Sequence, residues 1–323
     1  MILALLLLKY FLKKYFTDVV VALTLLLLAF GTNVLYYTLY EGCMVHVTDL
    51  FLFLLFIYAT EKWYLKNSVK NSILLGLLSG LMVLIRPTNM LIGIFFLLYD
   101  VVSLEEFFLR LKHLAGKWHL ILLMGIFASS VWIPQIIYWH SLTGQYFFYS
   151  YVGERFFFNH PMIYQGMLGG RKGWLLYTPL GWLMLIGFFF MYKRAKNLFF
   201  PMLVFYPLFV YVIFCWWCWW YGGGFSCRAM VDSYGLLAFP LASLLSFVFT
   251  ESKRGTRIVF SILLLLLVAL NLFQTWQYKK GIIHYDSMNY KAYKQVFLKT
   301  TFQPDSIFIK NHQGEALKGE YVE

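Results

Sequence analysis

The sequence predicts an all-α protein of the polytopic helical membrane class, with about nine full transmembrane helices, a partial first one and a small extracytoplasmic C-terminal tail. Three observations predict it. The chain is 61% hydrophobic and only 13% charged, against the roughly 25% charged residues of soluble domains. Apolar runs of about 15 to 20 residues recur along most of its length, close to what a helix needs to cross a hydrocarbon core. The basic residues, finally, are segregated into alternate loops.

One set of loops carries Lys9, Lys13 and Lys14, then Lys62, Lys66 and Lys70, then Arg110, Lys112 and Lys117. It continues with Lys193, Arg194 and Lys196, then Lys253, Arg254 and Arg257. The loops between them hold only Arg86, Arg155, Arg171, Lys172 and Arg228 before a tail of mixed charge. This is a positive-inside bias, so the lysine-rich loops are cytoplasmic and the aromatic, glycine-rich ones face outward. The formal charge of +12 then has topology as its cause and requires no nucleic-acid partner. The expected location is an inner or plasma membrane, crossed many times, with the active face outward.

Taken in order, residues 2–12 are apolar but too short to cross, and no basic n-region or cleavage site marks them as a signal peptide. They read as the end of a helix whose upstream spans are missing from this polypeptide. Spans follow at about 19–39, 47–61, 71–86, 88–103, 119–139, 175–192, 198–217, 234–250 and 258–276. Residues 71–103 make two short crossings rather than one long helix. Pro87 disfavours helical geometry at Arg86, and a single crossing would turn the later lysine-rich loops outward. Gly76 and Gly80, at helical spacing, suit close packing on a neighbouring helix. Residues 1–277 thus form a transmembrane domain, and 278–323, with Gly281 and Pro304, an extracytoplasmic tail.

Three outer loops carry the chemistry. The segment 40–49 holds Glu41, His46 and Asp49; the segment 140–174 holds Glu154, Arg171 and Lys172. The third, 215–233, reads CWWCWWYGGGFSCRAMVDS and contains Trp219, Trp220, Tyr221, Arg228 and Asp232. Aromatic rings of this kind sit where a span meets water, and Gly222, Gly223 and Gly224 let the backbone turn and approach something closely. The arginine fork matches phosphate oxygens. A carboxylate binds a divalent cation such as Mg or Mn, or takes a proton from a hydroxyl. Simpler roles exist for each: Arg228 with Asp232 as a helical ion pair, Arg86 as a hairpin-tip cap, Glu154 paired with Arg155 in solvent. Arg171 and Lys172 also suit lipid headgroups, His46 a satisfied interface position, and the tryptophans interfacial anchoring. Cys43, Cys218 and Cys227 fall on the outer side, where an oxidising compartment would permit a Cys218–Cys227 disulfide. The C-x-x-C spacing of Cys215 and Cys218 lacks the surrounding pattern of a redox motif.

Four segments together resemble the GT-C class of membrane glycosyltransferases, in the branch of protein mannosyltransferases and aminoarabinose transferases. They are GTNVLYYTLYEGCMVHVTDLFLF, GLLSGLMVLIRPTN, GERFFFNHP with the later GWLLYTPLGW, and WWYGGGFSCRAMVDSYGLLAFPLA. The segment QTWQYKKGIIHYDSMNYKAY is similar to the stretch after the last span in bacterial members. The resemblance covers most of residues 15–300. It implies a sugar donor on a polyprenyl phosphate and an acceptor lipid, glycan or protein at the outer face. Arg86 and Arg228 match its donor phosphate-binding positions. Glu41, His46, Asp49 and Asp232 are then expected to contact the acceptor or a metal. Trp219, Trp220, Tyr221, Glu154, Arg171 and Lys172 are expected to wall the substrate. The class carries its catalytic aspartate in the first outer loop, which this resemblance places upstream of Met1, so residues 1–323 alone are expected to be silent. The rival classes are a non-catalytic membrane subunit of a larger assembly and a transporter of lipid-linked sugar, though the latter would carry midplane charge that these spans lack.

Overall fold

A computed structural model describes residues 1–301 and 311–321; Pro304 lies outside them. Every regular element among the described residues is helical. Among these residues, four helices are long and apolar enough to cross a membrane: Trp118–Thr143, Lys196–Phe214, Arg228–Glu251 and Arg254–Lys279. The protein is therefore helical and membrane-embedded, but the structure carries four such helices, not nine.

The difference has local causes. The run expected at 19–39 divides at Gly31, Thr32 and Asn33 into Asp18–Phe30 and Val34–Leu39. The run expected at 175–192 breaks at Thr178 and Pro179, leaving Trp174–Tyr177 and then Leu180–Arg194. Fifteen residues of helix rise about 22 Å, short of a hydrocarbon core of about 30 Å. After Pro87 the chain forms only a 3-10 turn, Pro87–Ile92, and the short helix Gly93–Leu98. The extended backbone of Arg86 fits its place before proline.

The chain forms two compact units. The first comprises the described residues of Met1–Phe51, Arg155–Ala195 and Val210–Glu323. Its centre is the helix Tyr234–Ser246, buried at every position from Tyr234 to Leu245. Leu180–Arg194 and Asp18–Phe30 pack against it. Gly187 lies against the backbone of Pro240, where any β-carbon would collide with the proline carbonyl. Residues after Tyr278 also belong to this unit: Ile282, Ile283, Met288, Ala292 and Val296 are buried in it. Gln277 Nε2 holds them down by donating to the carbonyls of Val296 (2.8 Å) and Lys299 (2.7 Å).

The second unit comprises Leu52–Glu154 and Lys196–Phe209. Here Val69–Ile85 packs against Trp118–Ser130, and the two glycines singled out in the sequence make the contact. Gly76 meets the backbone of Met124, and Gly80 that of Ala128. Small residues at such crossings let helix axes approach closely.

Candidate functional site

The break between Asp18–Phe30 and Val34–Leu39 organises the polar end of the first unit. Asn271 Nδ2 donates to the carbonyls of Phe30 and Thr32, both at 3.0 Å. Asn33 turns the other way and donates to the carbonyls of Phe225 (3.2 Å) and Cys227 (3.4 Å). Tyr234 donates to Asn33 Oδ1 at 2.6 Å and accepts from Trp174 Nε1 at 2.9 Å. The interrupted helix thus holds the glycine loop through buried side-chain hydrogen bonds to its backbone.

The glycine loop needs its glycines. Gly222 and Gly224 have φ of 65° and 148°, values that side chains disfavour. A β-carbon at Gly224 would stand 2.5 Å from the Tyr37 hydroxyl. That hydroxyl donates to the Phe225 carbonyl at 3.0 Å, and Gly224 N donates to Tyr278 Oη at 2.8 Å. Backbone groups along the loop are therefore fixed by side chains from separate elements.

Arg171 and Lys172 hold the loop from the side. Both are buried, at 0% and 4% exposure, so neither sits on the surface as a headgroup anchor. Arg171 bonds Asp286 at 2.7 Å and stacks 3.6 Å above the Trp220 ring. Trp220 Nε1 donates to the other Asp286 oxygen at 3.0 Å. Burial alone would raise the Asp286 carboxyl, but Arg171 and the Ser287 hydroxyl hold it below its ordinary value. Lys172 Nζ donates to the carbonyls of Gly222 and Tyr285. Burial pulls its amine down to about 7; Asp286 opposes that, while Arg228 and Arg171 reinforce it.

Arg228 is placed differently from these two. It is half-buried at the start of the 3-10 turn Arg228–Ser233. Its Nη1 lies 3.7 Å from Met44 Sδ and 3.4 Å from the Gly223 carbonyl, both weak acceptor contacts. Its Nε is buried with no hydrogen-bond partner among the described residues. This guanidinium is positioned more than it is satisfied.

Across the same turn lie the acids of segment 40–49. Glu41 accepts from the Tyr36 hydroxyl at 2.6 Å. His46 Nδ1 and Asp232 Oδ1 meet at 2.7 Å with 3% and 1% exposure. Asp49, 0% exposed, stands in the first turn of His46–Leu65. The first unit therefore gathers Glu41, His46, Asp49, Arg171, Lys172, Arg228 and Asp232 from three separate stretches of chain.

The aromatic residues are less available than a substrate wall requires. Trp219 is 1% exposed and stacks on Tyr321, rings 5.9 Å apart. Tyr221, with φ of 61°, donates to the Ile213 carbonyl at 2.7 Å. Arg86 and Glu154 fall in the second unit: Arg86 is half-buried at the end of Val69–Ile85. The Glu154 carbonyl accepts from the Tyr149 hydroxyl at 2.7 Å. Cys218 and Cys227 are free thiols; burial pushes the Cys218 thiol up to about 11. Among the described residues, no group of three or more His, Cys, Asp or Glu comes together as metal ligands would.

Tyr36, Asn33 and Asp286 are not marked as site residues by sequence reasoning. Asn33 had a signal, an amide inside an apolar run beside Gly31, and Asp286 lay in a motif without a loop to assign it to. Comparisons with protein-family models, curated proteins and solved structures give no match.

Proposed function

We propose that the protein is a glycosyltransferase of the GT-C kind, which takes a sugar from a polyprenyl phosphate and passes it to an acceptor lipid, glycan or protein at the outer face of an inner or plasma membrane. Arg228 carries the reading. A half-buried guanidinium with weak partners and an unbonded Nε has donors to offer an anion, and its planar fork suits a phosphate. As the glycosidic bond breaks, negative charge grows on that phosphate, and a cation fixed beforehand stabilises it without reorganising. Lys172 lies close enough to Arg228 for their charges to interact.

The fold proposal is about nine crossings, with lysine-rich loops inside, and short helices crossing by packing on longer ones. Its support is that each expected run contains helix.

The test is transfer of labelled sugar from polyprenyl phosphate by purified protein in lipid vesicles, with several donors. Arg228→Ala is expected to lower kcat by about 10²–10³, the usual cost of one preorganised charge-stabilising donor. Arg228→Lys keeps the charge without the fork and recovers part of the rate. No transfer with any donor, by the full reading frame as well as by residues 1–323, refutes the proposal and favours a non-catalytic subunit; donor movement across the vesicle without transfer favours a transporter.

A further inference from the structure

We propose that the helix Leu104–Gly116 is a lipid-binding surface, lying flat in the phospholipid headgroup layer at the lysine-rich end of the second unit. One stripe of the helix enters the first acyl carbons, and lipid rather than another protein chain covers it. The inference stands on the membrane embedding alone and holds whether or not the protein transfers a sugar.

The sequence LEEFFLRLKHLAG starts on a reciprocal cap. Ser103 Oγ accepts from Glu106 N at 3.2 Å, and Glu106 Oε2 accepts from Val102 N at 2.7 Å. None of the thirteen helical residues is buried, and they sort into three faces. Phe107, Arg110 and Leu114, at helical spacing, are half-buried against the unit. Glu105 and Lys112 form an exposed polar flank. Between these runs Leu104, Phe108, Leu111 and Ala115, spaced four, three and four apart, all of them exposed. That spacing makes one continuous apolar stripe, and among the described residues no side chain buries it. Left in water, such a stripe is costly.

The positions of the helix ends say what covers it. One residue, Lys117, separates the helix from Trp118–Thr143, a span-length apolar helix of which only 6% of the most apolar window is buried. The surface of that span belongs to lipid, and Trp118 at its start is exposed, as an aromatic at a membrane boundary is. Gly76 meets Met124 and Gly80 meets Ala128, equal steps in the same direction, so Val69–Ile85 runs parallel with the span and begins level with Lys117. The rest of the amphipathic helix is tied to the same level. Arg110 Nη2 donates to the Tyr99 carbonyl at 2.6 Å, and its guanidinium lies 3.8 Å over the Tyr64 ring. Tyr99 itself stacks on Tyr64, rings 5.7 Å apart. Tyr64 stands in the last turn of His46–Leu65, where its neighbour Trp63 donates to Ser72 Oγ at 2.8 Å, in the first turn of Val69–Ile85. The helix therefore runs along the level at which one neighbour ends and two begin, and its stripe continues the lipid-facing surface of the span. Exposed Lys66, Lys70 and Lys112 stand at this end, cations suited to headgroup phosphates. An apolar stripe beside a charged flank is what an interfacial helix needs.

The experiment attaches a nitroxide to the full chain, carrying Cys43→Ser, in phosphatidylcholine–phosphatidylglycerol vesicles; the three remaining native cysteines are buried. Leu104→Cys, Phe108→Cys, Leu111→Cys, Glu105→Cys and Lys112→Cys are labelled one at a time, and collisions with oxygen and with a water-soluble nickel chelate are compared. Labels at 104, 108 and 111 are expected to meet oxygen and escape nickel, at a depth of about 5–10 Å below the phosphates. Those at 105 and 112 should meet nickel. Nickel access at all five positions overturns the proposal, because the helix then lies in water. Labels at 108 and 111 that are immobile and shielded from both reagents also overturn it, and show that a second copy or another protein covers the stripe. A second variant, Phe108→Glu with Leu111→Glu, changes only exposed positions and is expected to leave the melting temperature unchanged. It should move a label at Leu104→Cys from oxygen to nickel access; a label that stays with oxygen counts against the stripe as the lipid contact.

Discussion

Lys172 shows how one side chain can be both fastener and liability. Its ammonium bonds two carbonyls, of Gly222 and Tyr285, yet burial lowers its pKa from 10.5 to about 7. The unfolded chain therefore holds more protons than the folded one between those values, and stability should rise with pH across that window. Below about 7 both states are charged and the folded state bears the full penalty; above 10.5 neither does. A one-proton difference corresponds to at most about 1.4 kcal/mol per pH unit. Thermal unfolding of wild type and Lys172→Met from pH 6.5 to 10.5 checks this. The wild type is expected to gain on the variant steadily above pH 7, and parallel curves would mean the amine stays protonated in the fold.

Helix pairing is decided by which positions lack a β-carbon. Gly76 and Gly80 admit the backbones of Met124 and Ala128, whereas Gly125, on the partner helix, faces open space. The two kinds of glycine should respond oppositely. Gly80→Leu forces the helices apart and is expected to destabilise by at least about 1–3 kcal/mol. Gly125→Ala adds nothing to clash with and raises helix propensity, for a gain of about 0.5–1 kcal/mol. Melting temperatures in detergent rank the two. Equal effects would show that the Val69–Ile85 and Trp118–Ser130 helices do not meet at these glycines.

For the whole molecule, orientation in the membrane is the property on which the proposed chemistry depends, and the cysteines provide a native reporter. Cys43, in segment 40–49, is exposed; Cys215, Cys218 and Cys227 are buried. Burial also raises Cys218 to about 11, so almost none of it is thiolate at neutral pH. In right-side-out vesicles an impermeant maleimide should label Cys43 and spare the other three until denaturation. A cysteine introduced at the exposed Lys193 should label only after permeabilisation. The reverse pattern would invert the topology and place segment 40–49 on the cytoplasmic side.

The sequence by itself determined the helical membrane class, because low charge, recurring apolar runs and segregated lysines each answer to the solvent rather than to any partner residue. It also marked Glu41, His46, Arg228 and Asp232, since polar groups at the ends of apolar runs need a reason to be there. Helix lengths were misjudged where Thr32, Asn33 and Thr178 interrupt runs that hydropathy averages over; a span's composition does not record where its backbone bonds are handed to distant side chains. Only the tertiary structure paired His46 with Asp232 and Arg171 with Asp286, and left one oxygen of Glu41 without a donor among the described residues. Those outcomes depend on contacts between residues more than a hundred positions apart, and on which atoms burial removes from water, and neither quantity is local in the sequence.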